Sequence, residues 1–293
     1  MAAAGLGGHG LARAARSPVE RMRREVAAVS AGDPAPRIRV PRTRDEIAAL
    51  AATMNELLAR LQGALARQRA LVADASHELR TPFAVLRGEL ELASRPGRSR
   101  EDLAAAVQQA AEEAARLARI TDQLLFLARS DEDRVPARPS PTSLAGLLAA
   151  SAQHAAGRAR AAGVSCEVAV PPGLSAEVDA DRIREAVDNL IDNALRFAPP
   201  GTAIEIAAAP DGPDVLIEVR DRGPGFPPSF LPDAFERFAR PDTGRARSDG
   251  GAGLGLAIVS AITRAHGGQA SAANRPGGGA VVSLRLPRDG AAG

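Results

Sequence analysis

The 293-residue chain has no tryptophan, no tyrosine and no lysine, and only one cysteine. Its aromatic share is 2%, all of it from seven phenylalanines. Cores must therefore be assembled from alanine, leucine, isoleucine and valine, which favours helical bundles. The same shortage removes the platforms on which single-stranded nucleic acid stacks. No dense basic stripe offsets it, so no nucleic-acid partner is expected. Cys166 is alone, which excludes an intramolecular disulfide and fits a reducing compartment. It reads as a small buried hydrophobe near a strand, not as a catalytic thiol. No run approaches the ~20 apolar residues of a membrane helix. The Ala/Gly-rich start, residues 1–11, lacks the basic opening of a signal peptide. A net charge of +2 coexists with a sequence pI near 9.7 because every strong cation is arginine.

Organisation emerges from periodicity. Residues 1–17 are low-complexity and read as loose. Pro18 sits where a missing N–H is harmless and opens a helix. Val19, Met22, Val26 and Val29 follow at spacings of three and four, a coiled-coil seam. Gly32-Asp33-Pro34 ends it, and an irregular connector runs to about Thr43. A second seam follows: Ile47, Leu50, Met54, Leu57 and Leu61. Two short heptad helices cannot bury their stripes alone, so a parallel homodimer is expected. The second helix runs on through Leu65, Val72, Leu79 and Leu86 in a different frame. The step of four from Leu61 to Leu65 is a stutter. Past Arg95-Pro96-Gly97, a further helix begins near Arg100, with Leu103, Val107, Ala110, Ala114, Leu117, Thr121, Leu124 and Ala128 on its inner face. Two such hairpins, one per chain, would close a four-helix bundle. Prolines and charges mark residues 131–142 as a linker. Beyond it, strand-like runs at 164–170, 203–209, 215–219 and 280–286 mix with helices at 144–162, 180–197 and 253–265. That mixture predicts a two-layer α/β domain.

Four strings carry chemistry. The first is His77-Glu78-Leu79-Arg80-Thr81-Pro82 on the bundle helix. Leu79 lies on the seam, so His77 projects to a flank. Pro82 lacks an N–H and crowds the Glu78 carbonyl, which should bend the helix one turn beyond His77. A neutral imidazole is a good nucleophile near neutral pH, and Glu78 can take its ring proton. The second is Asp188-Asn189-Leu190-Ile191-Asp192-Asn193-Ala194-Leu195-Arg196-Phe197. Asn189, Asn193 and Arg196 share one helical face, which suits a hydrated Mg²⁺ and the phosphates it bridges. The third, Asp221-Arg222-Gly223-Pro224-Gly225-Phe226, follows a strand. Gly223 and Gly225 let backbone pass close to a ligand, and Asp221 can accept a hydrogen bond from an exocyclic amine such as adenine's. The fourth runs from Gly250 through Gly251, Gly253, Leu254 and Gly255 into a helix, whose first N–H groups and dipole face an anion. It is not a P-loop, since no Gly-Lys-Ser/Thr follows, and no parallel βαβ unit surrounds it.

These strings, in this order, resemble the sensor histidine kinases of two-component systems over nearly the whole chain. Residues 77–82 look like the phosphoacceptor box, 188–197 like the N box, 221–226 and 250–259 like the two glycine boxes, and Phe235-Glu236-Arg237-Phe238 like the F box. Residues 18–68 resemble a HAMP signalling module, including Asp45-Glu46-Ile47 and Asn55. The resemblance implies an all-α dimeric coiled coil and four-helix bundle over 18–68 and 69–130, then a Bergerat-type ATP-binding fold over 143–288. It implies phosphorylation of His77 from ATP, and transfer to an aspartate of a response regulator. Dephosphorylation of that regulator would use Thr81 to orient water. Asn193 would ligate Mg²⁺ with Asn189 beside it, Arg196 would meet phosphates, Phe197 would flank the adenine and Asp221 would bind its amine. The resemblance further implies that the segment from Phe235 to Gly250 would be a lid over ATP, in which Arg237, Arg240, Arg245 and Arg247 can neutralise phosphates. Arginine at 196, phenylalanine at 197 and phenylalanine at 83 stand where lysine, tyrosine and leucine are frequent, and each keeps the charge or the apolar character. A HAMP module normally follows a membrane helix. Membrane attachment is therefore expected only through a helix absent from this sequence, with the chain otherwise cytoplasmic. Two alternatives stand beside this reading: an ATP-hydrolysing machine of the same nucleotide fold, as in gyrase, and a silent or phosphatase-only scaffold. The former places a glutamate where Asn189 stands, and an amide cannot activate water.

Overall fold

The computed structural model describes residues 38–40, 46–97, 99–130, 137–241 and 252–289. The first seam, 19–29, Asp45, most of the linker, Gly250, Gly251, Arg245 and Arg247 lie outside the described residues. Contacts divide the chain into two units, Met1–Ser76 and His77–Gly293. Helix α1, Glu46–Ala93, contributes to both and takes in the whole stretch of the predicted frame change.

In the first unit, Ile38 and Ala51 form a small core, with Met54 and Leu58 packed against it. The side chain of Asn55 serves as a backbone mimic: its Oδ1 accepts from the Ile38 N–H at 2.8 Å, and its Nδ2 donates to the Ile38 carbonyl at 2.9 Å. Satisfying both groups of one extended residue ties the connector to the helix. The seam residues Leu57, Leu61 and Val72 are left 58%, 57% and 61% exposed in the single chain.

In the second unit, α1 carries Pro82 inside its span, where the ring is buried. Its missing N–H removes the link to the Glu78 carbonyl. Helix α2, Arg100–Ser130, opens on a capping box. The Asp102 N–H donates to Ser99 Oγ at 3.0 Å and the Ser99 N–H to Asp102 Oδ2 at 3.3 Å. Its buried residues are Ala106, Ala110, Leu117, Ile120, Leu124, Phe126 and Leu127. The expected inner face is met at Ala110, Leu117 and Leu124. Leu103 and Val107 are exposed instead, and Phe126 and Leu127 turn toward the α/β part. There Arg182 lies 4.9 Å over the Phe126 ring.

Strand β1, Ser140–Ser143, pairs antiparallel with β3, Ser175–Val178. The proline-rich reading of 131–142 as linker gave no sign of it. Pro141 is tolerated because β1 is paired on one side only. The main sheet has five strands in the order β2-β4-β5-β7-β6. These are Ser165–Ala169, Ala203–Asp211, Asp214–Arg220, Ala280–Pro287 and Gln269–Asn274. β2 and β4 run parallel, and the other neighbours are antiparallel. Alternation buries one face, with Ile204, Ile206, Val215, Ile217, Leu284 and Leu286 inward. Helices α3 (Leu144–Ala161), α4 (Ala180–Phe197) and α5 (Gly255–Ala265) cover that face. The other face carries Glu205, Glu218, Arg220 and Arg285. The predicted all-α part followed by a two-layer α/β part is therefore observed. Of the seven phenylalanines, only Phe126 is buried. Among the described residues no helix is long and apolar enough to cross a membrane.

Candidate functional site

Helix α4 is the spine of the site. Asp179 caps it, accepting the Arg182 N–H on Oδ1 at 3.2 Å and the Arg138 N–H on Oδ2 at 3.1 Å. Burial pushes the Asp179 carboxyl up, but those two backbone donors, with the charges of His266 and Arg182, outweigh it and hold it below the usual aspartate value. Ile183, Ala186, Val187, Leu190, Ile191 and Ala194 are buried against the sheet and α5. The neighbouring stripe, Asn189, Asn193 and Arg196, is thereby turned into a cleft of about 1010 Å³. The Asn189 Nδ2 donates to the Glu185 carbonyl at 2.8 Å. Its amide oxygen lies near Gly255, the first residue of α5.

At the far end of the cleft, Asp221 follows the last residue of β5 and is 7% exposed. Its Oδ1 accepts from the Gly223 N–H at 2.7 Å and from the Ala280 N–H at 3.2 Å. Among the described residues Oδ2 accepts no hydrogen bond, which leaves it to an incoming donor. Phe197 closes α4 at the same end, and the Phe226 and Phe230 rings stack 5.8 Å apart beside it. On the opposite wall, Gly253 has φ +67°, and a Cβ there would meet the Phe238 backbone at 2.8 Å. Phe238 itself holds φ 59°, the only non-glycine left-handed residue among those described. Its N–H donates to the Gly253 carbonyl at 3.0 Å. The end of the F-box segment and the glycine loop are thus locked backbone to backbone, and Leu254 is buried beneath them.

The structure brings Asn189, Asn193, Arg196, Phe197, Asp221, Gly225, Gly253, Leu254 and Gly255 to one cleft, with Arg240 on its wall. Gly223 acts one step behind, through Asp221. Phe235 and Arg237 do not line the cleft. Arg237 Nη2 instead donates to the Leu127 carbonyl of α2 at 3.4 Å. Gly251 lies outside the described residues. His77 and Glu78 occupy helical positions in α1, and their side chains are likewise outside what is described; Thr81 is exposed one turn on. Sequence reading missed Arg119 and Gln123, one turn apart on α2, which reach the same cleft. It also missed Asn274, on β6. Only a four-residue polar spacing on α2 could have pointed to the first two.

A hydrated Mg²⁺ asks for a few hard oxygen donors from the walls of the cleft. Among the described residues no cluster of three His, Cys, Asp or Glu forms a dedicated cage. The walls do offer the amide oxygens of Asn189 and Asn193, and Asp188 Oδ1 is buried without a hydrogen-bond partner among the described residues. Few protein oxygens, none soft, suit an ion that keeps several waters and substrate phosphates.

Comparison with known proteins follows the same division. Residues 178–290 match the family described as histidine kinase-, DNA gyrase B- and HSP90-like ATPase. Residues 67–133 match the His Kinase A phospho-acceptor domain, and 10–63 the HAMP domain. Over 256 residues, 84% of this chain, it is 40% identical to the probable sensor histidine kinase TcrY of Mycobacterium tuberculosis, covering 52% of that protein. It is 35% identical to the signal transduction histidine-protein kinase BaeS of Escherichia coli, over 94% of this chain and 59% of the other. The sensor protein CutS of Streptomyces coelicolor is 36% identical over 96% of this chain and 67% of its own length. Among solved structures, full-length ShkA in complex with AMPPNP aligns with a TM-score of 0.57 and 29% identity, over 77% of this chain and 47% of that one. Acinetobacter baumannii AdeS aligns with a TM-score of 0.59 at 21% identity, over 72% of this chain and 98% of that one, a likeness of fold. The chain spans between half and two thirds of the length of these curated relatives.

Proposed function

The chain belongs to the sensor histidine kinases of two-component systems, and from that premise we propose that it phosphorylates its own His77 from ATP and passes the phosphoryl group to a response-regulator aspartate. The supporting observation is the convergence, on one cleft, of a buried carboxylate, two amide side chains and the start of a helix. Asp221 Oδ2 receives the adenine amine, with Phe197 at the ring's edge. The triphosphate runs back along α4, past Arg196, toward Asn189 and the first N–H groups of α5, where the helix dipole favours an anion. Asn193, with Asn189 beside it, would hold Mg²⁺, which when bound screens the phosphate charge.

One nitrogen of the His77 ring attacks the γ-phosphorus. The bond to the bridging oxygen breaks, ADP leaves, and Glu78 takes the proton from the ring's other nitrogen. An amide at 189 has no basic oxygen to activate water, which favours transfer over hydrolysis. Thr81 orients water for removing phosphate from the regulator. We take 18–68, 69–130, 131–142 and 143–288 as the signalling, phosphoacceptor, linker and catalytic segments of a homodimer. Incubation with γ-labelled ATP tests the reading. Label should be acid-labile and base-stable, as a phosphoramidate is, and absent from His77→Gln. Acid-labile label on His77→Gln at the wild-type rate overturns it.

A further inference from the structure

The end of β6 and the turn that follows it lie behind the loop that carries Asp221, and two consecutive residues there hold that loop at both ends. Asn274 spans the backbone of Phe226: its Oδ1 accepts from the Phe226 N–H at 2.7 Å and its Nδ2 donates to the Phe226 carbonyl at 2.8 Å. Arg275 holds the other end, its Nη1 donating to the Asp221 carbonyl at 3.2 Å. Its Nη2 donates to both oxygens of Glu205 on β4, at 3.1 and 3.3 Å. The Arg275 side chain is only 16% exposed. Glu205 also meets Arg220 at 3.7 Å and Arg222 at 3.4 Å. Burial would raise the Glu205 carboxyl, but the Arg275 hydrogen bond and the three arginine charges hold it below its ordinary value, so it remains an anchor at neutral pH. The turn approaches so closely that a Cβ on Gly279, at φ +97°, would collide with the Asp221 carbonyl.

We propose that Arg275, anchored by Glu205, is a positioning residue that fixes Asp221 and thereby sets the preference of the cleft for a purine bearing a 6-amino group. This rests on the reading of Asp221 as the adenine acceptor. Arg275 touches no nucleotide. It immobilises the main chain of Asp221 while the Gly223 and Ala280 N–H groups fix Oδ1, so that Oδ2 presents one lone-pair direction to the base. A guanidinium suits the task because its rigid fork meets a carboxylate and a carbonyl together.

The full chain and four variants are titrated calorimetrically with ADP and with purine riboside diphosphate, which lacks the amino group. The wild type should prefer ADP by about tenfold or more, the worth of a hydrogen bond to a charged group. Arg275→Ala should bring that ratio near unity while moving affinity for purine riboside diphosphate by less than about threefold. Glu205→Gln should lower the ratio less, and Arg275→Lys, a cation that cannot bridge, should fall between Arg275→Ala and wild type. If Arg275→Ala does not fold, those two decide the question, with folding followed by far-ultraviolet circular dichroism. Equal weakening of both nucleotides, or an unchanged ratio, overturns the positioning role. Asp221→Ala separates the two levels. If it abolishes the preference while the Arg275 and Glu205 variants keep it, only this inference fails; if it leaves the preference intact, the adenine reading fails and takes the inference with it.

Discussion

Asn193 stands half-buried on a wall that already carries Asp188 and Asp192. Asn193→Asp would add a third carboxylate beside a triphosphate, and at such distances like charges repel by about 1 kcal/mol or more. Labelling of His77 should fall at least about fivefold, with the far-ultraviolet dichroism unchanged; a variant labelled at the wild-type rate would refute the assignment. Glu78 and Thr81 should separate by chemistry. On the proposed roles, Glu78→Gln should slow labelling, whereas Thr81→Ala should spare labelling but lose the proposed phosphatase activity toward the regulator. Paired assays on both proteins check this, and parallel losses would point to distortion of the helix around Pro82. Residues whose backbone position alone defines them were legible in the sequence. Asp221 after a strand, and the amide stripe on a periodic helix, are of that kind. Arg237 was not legible, because a long side chain goes to whichever acceptor the tertiary fold offers, here the Leu127 carbonyl. Arg275 and Asn274 were not legible either, because their partners, Asp221, Glu205 and Phe226, lie far away in sequence.

The helices and central strands could be read from period alone, since 144–162, 180–197 and 215–219 carry strong apolar alternation. β1, β3 and β6 could not. Their sequences, Ser-Pro-Thr-Ser, Ser-Ala-Glu-Val and Gln-Ala-Ser-Ala-Ala-Asn, are short or weakly apolar, and pairing partners rather than propensity make them strands. Helix α4 begins at a cap whose removal is testable. Asp179→Ala should cost about 1 kcal/mol of stability. Because the folded carboxyl sits below the usual aspartate value of ~3.9, its contribution is complete above that pH. It disappears as pH falls through the lowered value. Thermal unfolding of wild type and Asp179→Ala should therefore differ at neutral pH and converge in acid. Helix α1 includes the step of four between Leu61 and Leu65, where two packings of similar energy are expected. Deleting residues 62–65 joins the frames into one heptad run, and kinase activity should lock high or low. Activity that still follows an upstream signal after the deletion would rule out a switch there.

Apolar side chains stand exposed in both units of the single chain. Leu57, Leu61 and Val72 in the first and Phe83 and Val107 in the second are each more than half exposed, and exposed apolar rows mark association surfaces. Light scattering should give twice the 30.2 kDa chain mass at micromolar concentration, and a monomeric mass would exclude the parallel dimer. The placement of the phenylalanines has an optical consequence. With no tryptophan or tyrosine, the core is nearly dark in the near ultraviolet. Phe197, Phe226 and Phe230 line the cleft, so much of the aromatic signal the chain possesses comes from the neighbourhood of that cleft. Unfolding should be almost silent there, while nucleotide binding should perturb the phenylalanine fine structure. A tryptophan introduced at Phe197 would then be the sole emitter, reporting occupancy of the cleft against no background.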